Sequence, residues 1–104
     1  MNNNTNMSVL IDFTNKKLVH KLEEIQKSKF TGIFRFNEGR SFLQASFNQG
    51  LLHSDKDGVA WSESDGYEMR KLAWAKNGIV QEIDDDGKKF VLNQKTGRIE
   101  PSLI

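Results

Sequence analysis

A chain of 104 residues, 28% charged and 37% hydrophobic, makes one domain with a modest core and excludes a disordered polymer. The absence of cysteine excludes disulfides, zinc–thiolate sites and thiol nucleophiles, and it fits a cytoplasmic protein. The formal net charge of +1 conceals two unlike halves: residues 1–53 carry seven Lys/Arg against four Asp/Glu, and residues 54–104 carry eight against ten. Such halves suit contact within one chain or across a homodimer, and neither is basic enough to announce nucleic acid.

No apolar run approaches the roughly 18 residues of a membrane span, so no membrane partner is expected. Met1 to Asn6 is polar, low in complexity and lacks the basic and apolar regions of a secretory signal. Residues 1–12 read as a flexible segment ahead of a single domain over 13–104. Residues 15–28 predict an amphipathic helix, with Leu18, Leu22 and Ile25 at i, i+4 and i+7 and Val19 beside them. Thr14 is the expected N-cap, Phe13 the expected hydrophobic staple to Leu18, and Gly32 the expected close.

Beyond the helix, seven glycines fall at 39, 50, 58, 66, 78, 87 and 97, preceded by Glu38, Gln49, Asp57, Asp65, Asn77, Asp86 and Thr96. Asp-Gly and Asn-Gly favour type I′ turns, because both central residues of that turn need positive φ. Turn signals every 8–12 residues predict an antiparallel meander. Ile33–Phe36 and Ser41–Phe47 alternate, so that Phe34 and Phe36 share one face of their strand, as Leu43, Ala45 and Phe47 do of theirs. Residues 59–76 admit two readings. Asp65-Gly66 between two strands continues the rhythm and is preferred, while Met69, Leu72 and Ala73 also share one side of a possible helix. Ile79–Ile83, Lys88–Asn93 and a short strand around Arg98–Glu100 complete the series. The fold class is α+β, one helix packed on an antiparallel meander. Its expected core is Leu18, Leu22, Ile25, Phe34, Phe36, Leu43 and Phe47.

Two family likenesses follow from quoted residues. Gly50-Leu-Leu-His-Ser-Asp-Lys-Asp-Gly-Val-Ala60, Asp65-Gly66, Trp74-Ala-Lys-Asn-Gly78 and Asp85-Asp-Gly87 resemble the short hairpin repeats of some bacterial and phage proteins. Their pattern runs N-G-x-x-H-x-x-D-G-P-A, D-G, W-x-x-N-G. Val59 stands where that pattern has proline, and Gln81 where it has the next histidine. Thr31-Gly-Ile-Phe34, Phe47-Asn-Gln-Gly-Leu-Leu-His53 and Gly66-Tyr-Glu-Met-Arg-Lys-Leu-Ala-Trp74 resemble the PATAN-type domain of bacterial signalling proteins. That resemblance implies a helix over 67–76 and protein–protein contact. Both resemblances imply non-catalytic modules.

The chemistry-bearing residues yield no catalytic constellation, no metal site and no cofactor site. His20 lies opposite the Leu18/Leu22 stripe and reads as a surface residue. His53 has no accompanying nucleophile motif and reads as a turn-capping or interface histidine. Asp55–Gly58 and Asp84–Gly87 resemble pieces of calcium loops but lack the full ligand set, and they read as hairpin turns. Lys16, Lys17, Lys21, Lys27 and Lys29 make the helix basic, which suits phosphate contact, although Glu23 and Glu24 interrupt them. Trp61, Tyr67 and Trp74 sit amid charge, as interface hot spots do.

The expectation is therefore a non-enzymatic module that binds a protein partner through Trp61, Tyr67, Trp74 and His53. An adaptor would fit, as would a small inhibitor of the anti-defence or anti-CRISPR kind that phages and mobile elements encode. The alternative is nucleic-acid contact through the basic helix.

Overall fold

The computed structural model describes residues 5–54 and 58–102. A short 3-10 turn, Met7–Leu10, leads to the helix α1, Lys16–Ser28. Eight strands follow: β1 Gly32–Glu38, β2 Ser41–Asn48, β3 Leu51–Leu52, β4 Trp61–Ser64, β5 Met69–Lys76, β6 Ile79–Asp85, β7 Lys88–Leu92 and β8 Ile99–Pro101. They form one antiparallel sheet in the order β1-β2-β4-β5-β6-β7-β8, with β3 also paired to β2. The α+β meander is thus the observed architecture.

Local chemistry differs from expectation at both ends of α1. The N-cap is Asn15, whose side chain accepts a hydrogen bond from the Leu18 amide at 3.1 Å. Thr14 instead turns to Asp12, donating to its carboxylate from both backbone and hydroxyl. Phe13 is 54% exposed rather than stapled over the helix. At the other end Lys29 adopts the left-handed conformation, donating to Gln26 O while Phe30 N–H reaches Ile25 O. This is the Schellman arrangement, with Lys29 where glycine is usual. Gly32 opens β1 and does not close the helix.

Asn77-Gly78 and Asp86-Gly87 behave as their dipeptides predict and Gln49-Gly50 does the same, whereas at Asp65-Gly66 only the glycine has positive φ. Gln49-Gly50, Asn77-Gly78 and Asp86-Gly87 each have positive φ at both central residues. Asp57 lies outside the described residues. Residues 69–76 are a strand, so the helix that the PATAN resemblance implies over 67–76 is not present. Pairing on both edges holds the segment extended: Ala73, fully buried, sits opposite Trp61 on one side and Ile83 on the other.

β3 and β4 follow one another along the same edge of β2, with a gap in the pairing between them. Ser46 of β2 accepts from His53 N–H at 3.0 Å and donates to Ala60 O at 2.8 Å, so a single residue bonds both edges of the gap. On the other side Ala75 O accepts from Ser54 N–H, and Ser54 Oγ accepts from Ala75 N–H in place of a backbone carbonyl.

The core lies between α1 and the sheet face that carries Leu43, Ala45, Phe47, Leu52, Trp61, Ala73, Ala75, Val80 and Ile83, all buried. Leu18, Leu22 and Ile25 enter it as expected. Phe34 and Phe36 pack against it but are only half-buried, because β1 is an edge strand with no further strand beyond it among the described residues. Met7 and Leu10, inside the segment expected to be flexible, are buried members of the same core. Asn6 fastens them by a two-way clasp on Val80, accepting from its N–H at 2.6 Å and donating to its C=O at 3.3 Å.

Candidate protein-binding surface

The residues expected to form an aromatic hot spot are not brought together. Trp61 is 1% exposed and belongs to the core, so it is no partner contact. Its neighbour across the hairpin is Ala73, and Trp74, next along β5, therefore points to the opposite sheet face, half-buried beside Glu82. Tyr67 stands at a loop tip and is 77% exposed. Sequence spacing could not separate them, because a one-residue step along a strand exchanges core for solvent face.

Tyr67 is nevertheless held. Arg40, from the β1–β2 turn, lies over its ring with the guanidinium 5.5 Å from the centroid and donates to its hydroxyl. Asp65 orders the loop by accepting from the amides of Tyr67 and Glu68 and from Arg70 Nε at 2.7 Å. Those bonds favour the ionised carboxylate and bring Asp65 down to a pKa of about 2. Arg70 also reaches Glu68 and Asp86, and Asp65 first, with Asp86 and Glu68, raises its own pKa; the arginine thus ties the β4–β5 loop to the β6–β7 turn.

His53 caps a turn. Its Nδ1 accepts from Asn77 N–H at 2.9 Å, which places the neutral ring's proton on Nε2. His20 is exposed and meets Glu24 at 2.9 Å. Lys16, Lys17, Lys21, Lys27 and Lys29 are all exposed. Among the described residues no group of three His, Asp or Glu side chains is placed to share a metal ion, and no helix is long and apolar enough to cross a membrane.

The surface that reasoning from sequence missed lies along β1. Between this strand and the C-terminal half of α1 runs an open groove of about 730 Å³, floored by Phe34, Phe36 and Ile25 and rimmed by Lys21, Glu24 and Lys27. Phe30 stands at its mouth, 38% exposed, and Ile33, 47% exposed, projects from the opposite face of β1. Phe30 is fixed by its backbone, which donates to Ile25 O and accepts from Gly50 N–H at 2.8 Å. Its ring lies over Gly32, where an added Cβ would come within 2.9 Å of Phe30 Cζ. The one signal in the sequence was Arg35 between two phenylalanines, since charge inside a strand is a device of sheet edges.

Comparison with protein-family models, with curated proteins and with solved structures gives no match.

Proposed function

We propose that this chain works by holding a protein partner, as an adaptor or a small inhibitor, and performs no chemistry of its own. The observation that carries the reading is the exposed apolar surface at the β1 edge, with Phe30 beside the groove over Phe34 and Phe36 and Ile33 exposed on the opposite face of the same strand. Contiguous apolar surface rimmed by charge is what marks protein-interaction sites on a soluble fold. Aromatic anchors with immobilised backbones suit such a role, because little conformational entropy remains to be lost on binding. Tyr67, pinned by Arg40, is a second accessible aromatic at the far end of the sheet.

The experiment is affinity capture on the immobilised full chain from the native cell or its prey, at low and moderate salt. Phe30→Ser/Ile33→Ser serves as the comparison, since both side chains are already partly exposed. A salt-tolerant protein complex lost in the double variant supports the reading. Retention of nucleic acid alone, with affinity collapsing as salt rises, would replace it with phosphate contact by the basic helix.

A further inference from the structure

The backbone of β1 has one unused side. Ser46 directs both its N–H and its C=O toward β3 and β4. Antiparallel alternation then turns the groups of Ala45 and Phe47 toward β1, where they meet Phe34 and Gly32. It follows that Ile33, Arg35 and Asn37 present their N–H and C=O outward, and no strand among the described residues pairs with them. A seven-residue edge of this kind, straight in register from Gly32↔Phe47 to Glu38↔Ser41, is a template for another strand.

The side chains specify what that strand would carry. On the helix face, positions opposite Phe34 and Phe36 would enter the apolar groove. On the other face Arg35 is satisfied only by the neutral Gln44, its Nε donating to Oε1 at 3.0 Å. Among the described residues no carboxylate lies within ion-pair distance of Lys21, Lys27 or Arg35, and Glu24 is engaged by His20. The edge is therefore apolar with a basic rim on the helix face, and on the other face it presents the Arg35 cation between Ile33 and Asn37.

Resting on the protein-binding reading above, we propose that β1 takes in an extended segment of another protein as an added strand, apolar at alternate positions and acidic at those between. A second copy of this chain fits less well. Symmetric antiparallel pairing centred on β1 sets Arg35 against Arg35, and like charges directly opposite are destabilising.

The test uses the full isotope-labelled chain and a seven-residue peptide alternating valine with glutamate, with a valine–lysine peptide as comparison. The valine–glutamate peptide is expected to shift and protect the amides of Ile33, Arg35 and Asn37. Arg35→Glu is expected to weaken it by about tenfold or more, the scale of a lost charge pair. Asn37→Pro removes one outward donor without touching the bonds to β2 and is expected to weaken it as well. No protection on β1, or equal protection by the valine–lysine peptide, overturns the proposal. So does protection that rises with protein concentration alone, which would identify a second copy as the occupant. A captured partner that binds Arg35→Glu and Asn37→Pro undiminished would leave the protein-binding reading intact and remove the β1 edge as its site.

Discussion

The indole Nε1 of Trp61 donates to Glu63 Oε2 at 2.7 Å, from two positions along the same face of β4. A tryptophan can be 1% exposed only if its single polar atom finds a partner, and here the partner is supplied from its own strand. Lys71, opposite Glu63 on β5 and 3.9 Å away, keeps the carboxylate near that position. Glu63→Ala should cost about 1–3 kcal/mol by orphaning the indole N–H, whereas Glu63→Gln, which can still accept, should cost clearly less. Chemical denaturation of the two variants measures the difference.

The two tryptophans should answer separately to a collisional quencher. Trp61 is sealed in the core at 1% exposure, while Trp74 is half-buried on the other face. Iodide is therefore expected to quench only part of the emission of the unaltered chain. In Trp74→Phe the remaining fluorophore should resist iodide. Ready quenching in that variant would show that the core as described does not enclose Trp61.

Two glycines with the same turn geometry should differ in what alanine does to them. Gly50 and Gly87 have φ of 81° and 89°. At Gly87 an added Cβ would meet nothing within 4 Å, but at Gly50 it would lie 3.0 Å from Gln26 O and 3.1 Å from Ile25 O. Gly87→Ala should cost only backbone strain, about 1–2 kcal/mol. Gly50→Ala should cost more, by about 1 kcal/mol or above, because helix backbone cannot swing aside as a side chain does. Thermal melts of the pair settle the ranking.

The contrast between those glycines shows what was legible in the sequence. Dipeptides such as Asn77-Gly78 and Asp86-Gly87 fix their own dihedrals locally, so the hairpins could be read directly. The stripe Leu18, Leu22, Ile25 placed the helix for the same reason, through a period that needs no knowledge of the partner face. The helix start slipped by one residue because Thr14 and Asn15 both cap well, and the choice fell to Asp12, which engages Thr14. Met7 and Leu10 escaped notice because a single 3-10 turn has no period to detect. The face assignments of Trp61 and Trp74 depend on register and on a bulge between Trp74 and Ala75, neither of which is written in either residue. The edge position of β1 was hidden for a further reason: Phe34 and Phe36 alternate alike whether a strand is central or terminal.

Acid should weaken the β4–β5 loop. The carboxyl of Asp65, ordinarily near 3.8, is held at about 2 in the folded chain by the amides of Glu68 and Tyr67 and by Arg70. A depressed folded value means the contribution is complete above pH 3.8 and is lost as pH falls through about 2. The stability gap between the unaltered chain and Asp65→Asn should accordingly hold at neutral pH and close across that window. Because the group is exposed, added salt should narrow the gap at neutral pH. A gap that persists at the acid end would mean that the loop is ordered by something other than the ionised carboxylate.

The central claim is that the chain binds a protein through β1 and the adjoining groove. Hydrogen exchange of the whole chain, alone and in complex with its captured partner, tests it most directly. The account predicts slowed exchange over residues 30–37, including the outward amides of Ile33, Arg35 and Asn37. Protection confined to the lysine-bearing start of α1 or to the Tyr67 loop, with residues 30–37 exchanging as in the free chain, would contradict it.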